Sequence, residues 1–104
     1  MNSLASGPSV VLVGAGYWGK NLARNFAKIG ELAGIVDGNA DQASAVAKAN
    51  NCQVVSFHDA LSNWAVKGIA IGTPAPRHGG IAEHALRAGK AVFIEKPICL
   101  SQEE

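Results

Sequence analysis

A chain of 104 residues makes one domain, and at this size it buries roughly 60–70% of its unfolded surface. With 48% hydrophobic and 16% charged residues it is not a disordered chain. A net charge of +1 gives no sequence-independent attraction to nucleic acid or an anionic membrane, so neither is expected as a partner.

No apolar run approaches the roughly 18 residues of a membrane span. Residues 1–8, with Asn2, Ser3, Ser6, Gly7 and Pro8, lack the basic and apolar regions of a signal peptide and read as a flexible tail. The folded domain is expected over residues 9–104. Cys52 and Cys99 are too few for a disulfide framework and sit at no metal-ligand spacing. They read as small apolar residues of a reducing compartment, which makes the cytoplasm the expected location.

From Ser9 onward strand-like and helix-like segments alternate. Ser9 to Val13 is a continuous β-branched run that stops at Gly14, the mark of a strand buried on both faces. Trp18, Leu22, Phe26 and Ile29 recur at helical spacing, and Gly30 closes the helix. Glu31 to Val36 is a second strand, ending at Asp37. Asp41 is the expected cap of an alanine-rich helix reaching about Asn50. Cys52 to Val55 reads as a short strand, Asp59 to Trp64 as one or two helical turns, and Val66 to Ile71 as a fourth strand stopped by Gly72-Thr73-Pro74. Pro76 to Ala88 carries a helical pattern through Ile81, Ala85 and Leu86, weakened by Gly79 and Gly80. Gly89 closes it, and Ala91 to Ile94 is a fifth strand. Strands joined in this order by helical crossovers predict an α/β fold: a doubly wound parallel sheet of about five strands, Rossmann-like, with helices on both faces.

Gly14-Ala15-Gly16-Tyr17-Trp18-Gly19 fits G-x-G-x-x-G between a predicted strand and a predicted helix, the context in which that pattern is informative. Gly14 permits a tight turn, Gly16 lets a pyrophosphate approach the backbone, and Gly19 lets the helix lie close to the strand. The helix N-terminus adds unpaired N–H groups and about half a positive charge. Asp37, eighteen residues after Gly19, can accept the ribose hydroxyls of an adenosine and would repel the extra phosphate of NADP. No arginine is near in sequence to hold that phosphate, so NAD is favoured. The overlapping reading, a P-loop from Gly14 to Lys20, lacks the Ser or Thr that holds magnesium, since Asn21 follows. Lys20 is then a solvent-facing helix residue.

In an open α/β sheet, ligands bind beyond the carboxyl ends of the strands. Gly72, Thr73, Pro74 and His78 after the fourth strand, and Glu95, Lys96 and Pro97 after the fifth, should line the nicotinamide half of the cofactor. Gly72-Thr73-Pro74, His78 and the run Ala88 to Pro97 resemble the Gfo/Idh/MocA oxidoreductases, and Gly14 to Arg24 resembles their members that act on nucleotide-linked sugars. The resemblance covers residues 9–104, and Glu95-Lys96-Pro97 is its most specific feature. It implies hydride transfer between a nicotinamide and a sugar or polyol. It places Lys96 toward the nicotinamide ribose and the substrate as the one candidate catalytic residue, sets Glu95 near the cofactor ribose, and makes a cis bond before Pro97 an expectation. His78 is read as packing beside the cofactor or anchoring the loop. His58 and His84 are expected at the surface.

Members of that family continue into a second domain that supplies most of the substrate pocket. Ser101-Gln102-Glu103-Glu104 has the spacing of a helix-starting capping box at the end of the chain, so the sequence reads as the front part of a longer protein. Half a cleft cannot hold a substrate in near-attack geometry, and the chain alone is expected to bind NAD weakly and catalyse nothing. The competing readings are a stand-alone nucleotide-binding sensor and a fold that has lost its ligand. A sensor needs the glycine loop and Asp37 but has no use for Lys96. A domain separated from its neighbour exposes apolar surface, which predicts a homodimer. Light scattering at high concentration checks this, and a monomeric mass overturns it.

Overall fold

The computed structural model describes residues 8–72 and 78–94, with the backbone alone at 17, 18, 78 and 79. Five strands form one parallel sheet: β1 (Val10–Val13), β2 (Leu32–Val36), β3 (Gln53–Val54), β4 (Gly68–Ile71) and β5 (Ala91–Ile94), in the order β3-β2-β1-β4-β5. Four helices connect them: α1 (Tyr17–Lys28), α2 (Ala40–Ala49), α3 (Phe57–Ser62) and α4 (His78–Arg87).

The two windings follow from handedness. From β1 to β3 the chain moves one way along the sheet, and from β3 through β4 to β5 it moves the other way. Crossovers of one hand therefore put α1 and α2 on one face and α3 and α4 on the opposite face. The core divides accordingly. Val10, Leu12, Leu32 and Ile35 pack with Leu22 and Ala23 of α1 and with Ala43, Val46 and Ala47 of α2. Val11, Val13, Ile69 and Ile71 pack with Ala60 of α3 and with Ala82 and Ala85 of α4. Side chains alternate along a strand, so β1 feeds both cores, and all four of its residues are buried. That is why β1 and β4 read as unbroken apolar runs while the edge strand β5 alternates between exposed and half-buried.

Several local expectations need correction. Asn39, not Asp41, caps α2: its side-chain oxygen accepts the Gln42 N–H at 2.9 Å, and Asp41 lies in the first turn beside the helix dipole. α3 starts two residues before the expected Asp59, because Ser56 Oγ accepts the Asp59 N–H at 3.0 Å. Ile29 is the C-cap residue of α1 and is 68% exposed rather than part of its apolar stripe. In α4 the buried positions are Ala82 and Ala85, and Leu86 faces outward. Pro76, the expected start of that helix, lies outside the described residues.

At the amino end of the sheet, Ser9 ties three strands together. Its carbonyl accepts the N–H groups of Lys67 and Gly68, and its hydroxyl donates to Glu31 Oε1 at 2.8 Å. Lys90, 8% exposed, donates from Nζ to the carbonyls of Asn63 and Val66 at 2.9 and 2.7 Å. Burial, and to a lesser degree the charge of Lys67, pulls its amine below the ordinary lysine value.

The carboxyl end is held by backbone packing. A Cβ on Gly72 would stand 2.6 Å from both the Gly14 carbonyl oxygen and the Gly19 Cα. A Cβ on Gly38 would meet nothing within 4 Å. Gly72→Ala should therefore destabilise the fold by about 1–3 kcal/mol, the usual range for overpacking. Gly38→Ala should stay within about 0.5 kcal/mol of the parent. Urea unfolding of the two variants checks the contrast.

Candidate functional site

The strand order reverses between β1 and β4, which makes the space beyond their carboxyl ends the ligand crevice of an open α/β sheet. The chain leaves β1 through Gly14, whose φ of 94° lies in the left-handed region that a Cβ disfavours. The Gly14 N–H donates to the Val36 carbonyl at 2.8 Å, so the loop starts tied to the end of β2. On its other side, Gly72 donates its N–H to the Val13 carbonyl at 2.8 Å.

The three glycines at this corner form one packing unit. A Cβ on Gly19 would overlap the Gly14 carbonyl oxygen and come within 2.8 Å of its carbon. Gly72 closes on the same two residues. Gly16 differs: the nearest atom to a Cβ there is Gln42 Nε2, 4.0 Å away. Close packing requires glycine at 19 and 72, and the left-handed φ requires it at 14. At Gly16 it leaves open space beside the first turn of α1.

That first turn carries no capping side chain and no acidic residue. The Lys20 N–H is the first to find an intrahelical partner, the Gly16 carbonyl at 2.9 Å. The N–H groups ahead of it are left for an external acceptor, and the helix dipole favours a negative one. By contrast, α2 and α3 cap themselves with Asn39 and Ser56.

Asp37 stands at the end of β2 beside this loop. Its Oδ2 accepts the Ala15 N–H at 2.7 Å and the Gln42 side-chain amide at 2.9 Å. Its Oδ1 accepts the Asn39 N–H at 2.8 Å. Burial pushes the carboxyl up, but the amides of Asn39 and Ala15 and the Gln42 side chain outweigh it and hold the group below its ordinary value. Asp37 is therefore a fixed anion at neutral pH, facing the cationic end of α1.

Of the residues singled out in the sequence, Gly14, Gly16, Gly19, Asp37 and Gly72 meet at one corner. Tyr17, Trp18 and His78 contribute backbone to α1 and α4, and their side chains are not described. Thr73, Pro74, Glu95, Lys96 and Pro97 lie outside the described residues. Lys20, His58 and His84 are exposed as expected. The sequence reading missed Asn39 and Gln42. Their signal was present as Asn39-x-x-Gln42, the spacing of a capping box, two residues after Asp37. Among the described residues no three His, Cys, Asp or Glu side chains gather to hold a metal ion, and no helix is long and apolar enough to cross a membrane.

Comparison with known proteins places this geometry. The family model described as an oxidoreductase family with an NAD-binding Rossmann fold matches residues 9–104. The UDP-N-acetylglucosamine 3-dehydrogenase of Acidithiobacillus ferrooxidans is 39% identical over 93 residues, which is 89% of this chain and 29% of that enzyme. A crystal form of the same enzyme superposes with a TM-score of 0.80, covering 91% of this chain and 31% of the other. An inositol 2-dehydrogenase of Rhizobium meliloti is 37% identical over 95 residues, 88% of this chain and 28% of its own length. The structure of GenD2 from gentamicin A biosynthesis in complex with NAD, 26% identical, also gives a TM-score of 0.80 over 91% of this chain and 28% of that one. The chain thus spans less than a third of the length of the relatives it matches. With the glycine corner, the uncapped helix and the matched residues agreeing, the chain belongs to the Gfo/Idh/MocA oxidoreductases, as an NAD(P)-binding Rossmann domain.

Proposed function

We propose that this chain is the cofactor-holding part of an NAD-dependent sugar or polyol dehydrogenase, with NAD preferred to NADP. One observation carries the reading: the Asp37 carboxylate is bonded to the loop amide of Ala15 at 2.7 Å and held in its charged form beside the open face of Gly16. A dinucleotide fits this corner. Gly14, Gly16 and Gly19 with the first turn of α1 would take the pyrophosphate, and the open space at Gly16 is where its oxygens need room. Asp37 would accept the adenosine ribose hydroxyls, and its fixed negative charge disfavours a phosphate on that ribose.

Tyr17 and Trp18, within the Gly14–Gly19 motif, are proposed to bind the same cofactor. Gly72, Thr73, Pro74 and His78 follow β4 in sequence, and Glu95, Lys96 and Pro97 follow β5, and all seven are proposed to serve the nicotinamide half of the cofactor. Bound nicotinamide supplies the hydride chemistry. Lys96 would touch substrate, and the other residues bind and orient. The relatives whose names specify a UDP-sugar or inositol support a polyhydroxylated substrate. They are more than three times as long as the stretch matched here, so the substrate-facing half of the cleft is assigned to chain beyond this domain.

Calorimetric titration with NAD and NADP tests the reading. NAD should bind more tightly than NADP, and Asp37→Ala should abolish that preference and weaken NAD at least tenfold. Failure of the folded chain to bind either cofactor overturns the proposal. Gly16→Ala should stay within about 1 kcal/mol of the parent in stability, the scale of a changed N-cap, yet lose most of its NAD affinity.

The Asp37 carboxyl has a lowered value in the folded state, so its contribution to stability is fully present above the unfolded value of about 4 and is lost as pH falls through the folded one. NAD affinity should follow the same course, flat from pH 5 to 8 as regards this group and declining only in acid. The purified 104-residue chain should show no sugar or inositol oxidation in a nicotinamide absorbance assay. Robust turnover would overturn the assignment of the substrate-facing half to other chain.

A further inference from the structure

The Asp37 carboxylate is more heavily engaged than a ribose-binding acid needs to be. A carboxylate offers about four acceptor positions. Three are filled by Ala15 N–H and Gln42 Nε2 on Oδ2 and by Asn39 N–H on Oδ1. A ribose diol presents two hydroxyl donors, and one position is left. Two of the three bonds come from backbone amides fixed by the glycine loop and by the turn into α2. The third comes from a side chain on a half-buried position of the first turn of α2.

We propose, building on the dinucleotide reading above, that Gln42 stands in for one ribose hydroxyl and must be displaced when the adenosine ribose binds, which makes it a residue that sets cofactor affinity. The position of its amide agrees. Gln42 Nε2 lies 2.9 Å from Asp37 Oδ2 and is the atom nearest to where a Cβ on Gly16 would project, 4.0 Å away. It therefore sits between the acid and the loop, in the space a ribose joined to a loop-bound pyrophosphate would enter. The backbone of Gln42 is engaged separately, since its N–H is held by Asn39 Oδ1 at 2.9 Å. Movement of the side chain leaves the helix cap in place. In the free domain the same bond adds to the larger effect of the Asn39 and Ala15 amides in holding the Asp37 carboxyl low, so Gln42 helps prepare the acid and competes for it.

The test uses Gln42→Met, which keeps length and helix preference and removes the amide. NAD should bind the variant about three- to tenfold more tightly than the parent, the effect of removing one competing hydrogen bond of ordinary net strength. Nicotinamide mononucleotide, which lacks the adenosine ribose, should bind both equally. The Asp37 carboxyl, followed by carbon-detected NMR, should titrate at a higher pH in the variant. In the parent, the Gln42 side-chain NH2 resonances should shift on adding NAD and stay in place on adding the mononucleotide. If the parent binds NAD and Gln42→Met binds it equally or more weakly, the displacement idea falls while the cofactor reading stands. If the parent leaves its Gln42 amide unshifted at saturating NAD, the idea falls on that measurement alone. If neither protein binds NAD, the cofactor reading falls and takes this inference with it.

Discussion

The corner where Gly14, Gly19 and Gly72 meet without side chains is the constraint on which the rest of this domain depends. Backbone lies directly against backbone there, so the first turn of α1 and the ends of β1 and β4 are held in close contact. A Cβ at any contact in this unit would pry the helix from the sheet. The leucine and alanines of α1 could then no longer reach the core that β1 presents on that face. The same closeness brings the uncapped N-terminus of α1 to the point where the strand order reverses. Packing and binding geometry thus share one cause, and Gly16, which packing leaves free, marks where the two separate.

Electrostatics builds on that corner. An uncapped helix start is a modest liability in a free protein, because its N–H groups lack partners. Asp37, held by the Ala15 N–H of the preceding loop, offsets part of it by placing a negative charge nearby. The other two bonds to the carboxylate come from the turn that starts α2. One acidic residue therefore joins β2, the loop before α1 and the start of α2. Its substitution changes how three elements sit as well as what the site can bind.

The sheet was legible in the sequence because its central strands are buried on both faces. Val10 to Val13 is an unbroken apolar run stopped by Gly14, and Ile69 to Ile71 is one bounded by Gly68 and Gly72, the pattern of strands covered on both faces. The glycine loop and Asp37 could be read because their spacing is dictated by the strand–helix–strand unit that carries them. The helix caps were less legible. Asp41 and Asn39 are both plausible caps by residue type, and the choice rests on which side chain can turn back onto a free N–H. Ile29 and Leu86 looked like core by periodicity, but Ile29 falls one residue beyond the end of α1 and Leu86 on the outer side of α4's apolar stripe. Gln42 escaped notice because its part in the site depends on a bond five residues back along the chain, across a turn whose shape is visible only in three dimensions.

The buried amine of Lys90 has a consequence for how the molecule comes apart. Edge strands with one neighbour and an open side ordinarily fray ahead of the rest of a sheet. Here the residue that leads into β5 is bonded through its side chain to the carbonyls of Asn63 and Val66, in the segment between α3 and β4. Opening β5 from its amino end would take the Lys90 amine from both carbonyls, leaving Asn63 with the Val66 N–H at 3.0 Å and costing Val66 its buried side-chain donor. The edge strand and the α3–β4 segment are thereby joined into one cooperative unit, anchored at the end of the sheet remote from the glycine corner.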